Sequence, residues 1–494
     1  MKNSNNQLGR NTIYIYMESV IAMVFGYVFW IILSRIGTIE IVGTFSAISS
    51  LAGIFSIIAS FGVPEGNQRF LGKFFYHQKL SDAKIFVASS LVLVSAGIIL
   101  CTFLILIMGD WIRAVFGFDF RLIVALIMLI ASYTIFLLFH SIVISSLRTK
   151  ILPTTMVASW IVRIVLASLM ISVGVGVVGV AVAYTFGYVL SCLILGIAII
   201  MILKYANHSR SEVSLSSATK DVSVSSLASW IPDLIMTIGI QLGTVVVFGT
   251  YGSNEAGLYF ISLIIVTGIS SVVHSIFTIA LPALSSMIDG RKKFAWHTIR
   301  LSTIISLPFT SSLIFYSKDI LQLIGQDYIE GSLTLQILLL SMLPTAVLSG
   351  IGSLVYSYGH YRKFLVIGLG ASIPRVALYF LLVPIYGSTG ASLAYTIGAV
   401  TGFAVSIVIA KRIGMLIFWK DLLLIFFIPM TLALVLSYLH VNYILAIIAT
   451  IIGSNVLFLK LRILTSADIK YSLEILPERI SSRISMLLTR YSRK

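Results

Sequence analysis

Arg163 and Arg375 stand near the middle of long apolar segments, where a side chain that is always charged costs on the order of 3 kcal/mol to insert into a membrane. Each is followed, at nearly the same distance, by a segment of one pattern: Gly176 to Val189 reads GVVGVAVAYTFGYV, and Gly387 to Val400 reads GSTGASLAYTIGAV. The run Ala183, Tyr184, Thr185 returns 211 residues later as Ala394, Tyr395, Thr396. A planar guanidinium donates two hydrogen bonds to one phosphate group, so an equivalent arginine in each of two halves suits a diphosphate. The competing role is structural, each arginine pairing with a buried carboxylate or with backbone carbonyls.

Four further charged residues have chemistry to offer. Glu18 lies about a third of the way into the first apolar segment, placed either to bind a coupling proton or sodium ion or to neutralise Arg163. Asp233 follows Pro232 and reads as a second candidate for coupling or as a helix-start residue. Arg69 and Lys73 sit in the polar stretch Val63 to Lys84, fit to capture an anionic headgroup at a gate, although a topological bias in basic residues explains them equally well. His140 and His274 are single histidines on apolar segments and read as packing residues, as do Cys101 and Cys192, which leave no disulfide framework or zinc site. No cofactor is expected beyond a coupling ion, H+ or Na+.

The elements that must hold these residues are membrane spans. Of 494 residues, 58% are hydrophobic and 11% charged, and the mean hydropathy is +1.04, far too apolar for a soluble fold. Segments long enough for a hydrocarbon core of roughly 30 Å fall at 12–33, 41–62, 85–108, 122–145, 154–175 and 177–203. They resume at 227–250, 256–280, 298–316, 331–356, 364–383 and 390–410, with two more at 419–437 and 442–459. The sequence therefore predicts an all-α polytopic membrane protein of about 14 transmembrane helices. Its parts are an N-terminal six-helix lobe (1–204), an interlobe linker (205–226), a C-terminal six-helix lobe (227–410), two extra helices (411–460) and a basic amphipathic tail (461–494). The repeat makes the lobes two bundles related by a pseudo-two-fold axis along the membrane normal, the plan of transporters that rock about a midplane site.

The formal charge of +16 is a topology signal. With the N-terminus inside and strict alternation, 28 of the 34 lysines and arginines fall in inner segments, as the positive-inside rule requires. Both termini are then cytoplasmic, and nucleic acid is not a partner. The outer loops are short, the longest being roughly 109–121 and 317–330, with no room for a catalytic domain. No P-loop is present.

Three motifs carry a family resemblance: Arg-Ile-Gly-x-x-Glu-x-x-Gly at Arg35 to Gly43, Phe-Gly-Val-x-Glu-Gly-x-x-Arg-Phe at Phe61 to Phe70, and Leu-Val-Pro-Ile-Tyr-Gly-Ser-Thr-Gly-Ala at Leu382 to Ala391. Together they resemble the polysaccharide-biosynthesis flippases, of the superfamily that also holds multidrug and toxin extruders and lipid II flippases. The resemblance implies a plasma-membrane transporter, not an enzyme, moving a polyprenyl- or dolichyl-diphosphate-linked oligosaccharide outward by alternating access with ion coupling. It implies the glycolipid diphosphate, membrane lipids and glycan-assembly membrane proteins as partners. A multidrug cation antiporter or lipid II flippase on the same fold is the alternative, and a membrane glycan polymerase or glycosyltransferase the alternative of another class. Mid-span arginines favour an anionic cargo over a cation, and the short loops disfavour an enzyme.

Overall fold

The computed structural model describes residues 2–204 and 213–463, without the side chains of 2–10, 12, 69, 228 and 229. The tail expected to form an amphipathic helix lies outside the described residues from 464 onward, as does 205–212 of the expected linker. Among the described residues every regular element is helical: α1 (Lys2–Ile36), α2 (Ile39–Ser60), α3 (Val63–Tyr76), α4 (Leu80–Ile107), α5 (Gly109–Phe116), α6 (Phe120–Ser145), α7 (Ile151–Ser172), α8 (Gly176–Leu203), α9 (Leu215–Tyr251), α10 (Ser253–Ser286), α11 (Arg291–Phe315), α12 (Ser317–Ile324), α13 (Ser332–Leu339), α14 (Met342–Ser357), α15 (Tyr361–Arg412), α16 (Trp419–Tyr438) and α17 (Tyr443–Lys460). The two longest predicted outer loops each carry a short helix, α5 and α12.

Among the described residues, thirteen helical segments are long and apolar enough to cross a membrane. One of them, α15, has 52 residues, about 78 Å at 1.5 Å per residue and far more than a single crossing needs. Gly387, at φ 54° and ψ −133°, breaks it. Pro384 offers no N–H to the helix ladder, and glycine takes the positive φ without steric cost. Beyond the break the chain runs back along itself: Gly390 lies against the Leu382 carbonyl, Gly398 against Ala371 and Arg375, and Gly402 against Ala371. Numbers that fall on one arm as they rise on the other define an antiparallel hairpin, so α15 is two arms of spanning length, which makes fourteen such segments among the described residues.

The chain forms two compact units, Met1–Phe260 and Ile261–Lys494. The division falls after the start of α10 rather than within 205–226, because α9 is one helix from Leu215 and is tied into the first unit. Trp230 Nε1 donates to the Ile57 carbonyl at 2.7 Å, and Ser50 Oγ donates to Gln241 Oε1 at 3.1 Å. Gly62 and Gly66, from the second family motif, lie where a Cβ would meet Ser226 and Trp230 or the Ser225 and Ser226 hydroxyls of α9. Gly43, from the first motif, meets the Ser253 carbonyl and Gly257 at the start of α10. These glycines permit contact at backbone distance between membrane helices.

In the second unit α10, α11, α14, α15 and α16 share a core that includes Phe277, Ile299, Ile351 and Leu354, with Gly350 seated on Ile299 and Phe277. The predicted span 331–356 is broken between α13 and α14. Pro344 cannot donate to the preceding turn, and Thr396, from the repeated Ala-Tyr-Thr run, donates to the Ile337 carbonyl at 2.8 Å.

Candidate functional site

The repeat seats an arginine. On α7, Arg163 is 2% exposed, and its guanidinium carbon lies 3.8 Å from the Tyr188 ring centre, 4.5 Å from that of Tyr184 and 4.6 Å from that of Trp160. Gly187 of α8 provides the slot, for a Cβ there would overlap the arginine's Cγ and Nε. Ser159 Oγ donates to the Gly187 carbonyl at 2.7 Å and fastens the same two helices. In the second unit Arg375, 7% exposed, lies 4.0 Å from the ring centre of Tyr395, with Gly398 in the place of Gly187. The shared tyrosine and glycine are thus one device used twice.

The copies differ in aromatic support. Counted back from each arginine, Trp160 corresponds to Ser372, and at the 211-residue spacing Tyr188 corresponds to Ala399, so among the described residues Arg375 keeps one ring where Arg163 has three. Both arginines are buried without an ion-paired carboxylate among the described residues, and the Nε of each has no acceptor there. Cation–π contact offsets about 2 kcal/mol of the desolvation cost but leaves the charge in place.

In the first unit Tyr133, Tyr184 and Tyr188, with Trp30, Phe260 and Gln241, line a cavity of about 190 Å³. Tyr133 and Tyr188 have ring centres 4.8 Å apart, and Trp30 and Phe260 4.5 Å apart. Arg163 lies behind two of these rings rather than on the wall. The wall therefore offers π faces, the Gln241 amide and, behind them, a fixed positive charge. Such a surface suits sugar rings and an anionic group. The volume is below the roughly 300 Å³ at which drug-sized ligands begin to fit, so a large cargo requires the cavity to widen.

Glu18 does not neutralise Arg163. Its carboxylate, 5% exposed, meets His140 Nε2 at 2.9 and 3.1 Å, so its partner is a histidine 122 residues away. Asp233 lies well inside α9, which removes its helix-start reading. It is half-buried and faces Glu65 of α3 electrostatically. Burial, with a smaller contribution from Asp233, pushes the Glu65 carboxyl up to about 7. Lys73 is exposed in the last turn of α3, and the Arg69 side chain lies outside those described. Sequence reasoning missed Trp160 and Tyr188, and it read His140 as a packing residue where the structure pairs it with Glu18. The first two carried a readable signal in the mismatches of the aligned repeat; His140 carried none.

These features define a multi-pass helical membrane protein, and the comparisons with known proteins agree. Residues 8–288 match the family model of polysaccharide biosynthesis proteins, and the chain belongs to that family. It is 22% identical over 420 residues to an uncharacterised membrane protein of Methanocaldococcus jannaschii, covering 82% of this chain and 98% of the other. Among solved structures it is similar to a lipid II flippase, MurJ, in an inward closed conformation, with a TM-score of 0.66 at 15% identity over 91% of this chain and 99% of that one. It is also similar to an inward-facing multidrug resistance transporter of the MATE family and MOP superfamily, with a TM-score of 0.58 at 15% identity over 81% and 97% of the two chains. The family and these neighbours are transporters and flippases, not enzymes.

Proposed function

We propose that the protein moves a polyprenyl- or dolichyl-diphosphate-linked oligosaccharide across the cytoplasmic membrane by alternating access, drawing on a proton or sodium gradient. One observation carries this reading: each unit buries an arginine that has no carboxylate partner among the described residues. An unneutralised cation at membrane depth attracts an anion and repels a cation, which disfavours the cargo of a multidrug cation antiporter. Arg163 and Arg375 are the diphosphate ligands of this proposal, reached as the tyrosines beside them move apart, and the aromatic wall takes the sugars. Arg69 and Lys73 capture the headgroup on entry.

The Glu18–His140 pair is the proposed coupling element. A carboxylate bonded through both oxygens to an imidazole can take up a proton and release its partner in one step, which would shift the position of α1 against α6. The termini lie in the cytoplasm in this account, in keeping with the basic loops.

Binding tests the cargo directly. In nanodiscs, a lipid-linked oligosaccharide diphosphate should bind at least about tenfold more tightly than the same glycolipid without phosphate, the worth of one charge-assisted hydrogen bond pair. Equal affinity for both, or preference for ethidium, would reject an anionic cargo.

A further inference from the structure

A second basic cavity lies in the other unit, at the end of α11 where its lysines gather. It has a volume of about 410 Å³ and is walled by Lys292, Lys293, Trp296, His297, Arg300 and Asp421, among others. Arg300 Nη1 pairs with Asp421 Oδ2 at 3.2 Å, and Nη2 lies 3.1 Å from His297 Nδ1. That pairing uses the one carboxylate in the wall. Lys292 and Lys293 are exposed and have no carboxylate partner among the described residues. The Lys292 amine lies over Gly414, 3.3 Å from the place a Cβ would take. Trp296, 3% exposed and part of the same wall, has a buried Nε1–H without an acceptor among the described residues.

Part of the lining of this cavity is apolar. Leu416 and Phe418, on the short segment that joins α15 to α16, line it and are exposed, and Trp419, the first residue of α16, is exposed as well. Exposed leucine, phenylalanine and tryptophan next to lysines mark a membrane interface, where rings sit at headgroup level and chains lie below. Basic pockets between spans at such a level hold phosphate-bearing headgroups. The stretch 464–494 has six basic and three acidic side chains, so its charge is not complementary to this pocket.

We infer that this cavity is a binding site for the phosphate headgroup of an anionic phospholipid, with Lys292 and Lys293 meeting the phosphate and Leu416 and Phe418 lying along the acyl chains. The site is separate from the arginines of the repeat and holds a resident lipid of the bilayer rather than the cargo. Its occupant would lock the start of α11 to the α15–α16 segment.

Native mass spectrometry of the full chain released from micelles tests this with three probes: phosphatidylglycerol, phosphatidylcholine and inorganic phosphate. The wild type should retain phosphatidylglycerol at least about fivefold more than phosphatidylcholine. Lys292→Gln with Lys293→Gln should abolish that preference, and Lys292→Arg with Lys293→Arg should restore it. Equal retention of the two lipids by the wild type, or an unchanged preference in the glutamine variant, would overturn the inference. Displacement of the lipid by millimolar inorganic phosphate would also overturn it, by showing a free-phosphate site. Size-exclusion profiles of both double variants separate a lost site from a lost fold. None of these outcomes depends on the cargo.

Discussion

The Arg375 guanidinium lies 4.0 Å from the centre of the Tyr395 ring, above the gap that Gly398 leaves on the same helix. Tyr184 and Gly187 repeat this arrangement around Arg163, where Trp160 and Tyr188 add two further rings. The duplicated sequence is therefore a means of seating a charged side chain between two adjacent spans, and the copies differ in how firmly it is seated.

That difference sets the first expectation. Tyr395→Leu removes the single ring under Arg375 and should destabilise the protein by about 1–2 kcal/mol, the worth of a desolvated cation–π contact. Tyr184→Leu leaves two rings on Arg163 and should cost less. Thermal unfolding of the two variants in detergent measures this, and equal losses would show that the rings do not support the cations.

The glycine slot gives a coupled test. Gly187→Val places a side chain where Arg163 passes and should cost about 1–3 kcal/mol through overpacking. Adding Arg163→Ala opens the slot, so the double variant should be more stable than the sum of the two single changes, with an interaction energy of the size expected for contacting residues. Additive losses would separate the glycine from the arginine.

Coupling is tested at Glu18. Glu18→Gln keeps the hydrogen-bonding shape toward His140 and removes the charge. It should leave cargo binding within about twofold and abolish the response of transport to an imposed proton or sodium gradient. A full gradient response in this variant would move coupling elsewhere.

Glu65 sets a pH dependence. Its folded-state carboxyl is raised from 4.5 to about 7, so between these values the folded protein holds a proton that the unfolded chain has released. Stability from this group is thus fully present below about pH 4.5 and falls as pH rises through 7. The side chain keeps an exposed face, and solvent screening makes the effect modest. Glu65→Gln should flatten the change in unfolding temperature across this window; a parallel curve would assign it to another group.

Much of the architecture was legible before any coordinates, because hydrophobic length and the distribution of lysine and arginine report directly on spans. The turn at Gly387 is an example, since Pro384, Gly387 and Gly390 together oppose a continuous helix. Partners distant in sequence were not legible. Nothing in a single sequence links Glu18 to His140, and neither composition nor spacing ties α9 to α2 and α3. The stronger seat of Arg163 lay in view, in Tyr188 against Ala399 and Trp160 against Ser372, but mismatches in a repeat acquire meaning only once the matched residues are seen to touch the arginine.

Translocation in proteoliposomes tests the central claim most directly. A fluorescent oligosaccharide on a polyprenyl diphosphate should cross between leaflets, faster under a proton or sodium gradient, and Arg163→Gln or Arg375→Gln should slow it by at least about tenfold with normal expression and folding. Transport of ethidium-like cations without movement of the glycolipid, or undiminished glycolipid transport in both arginine variants, would contradict the account.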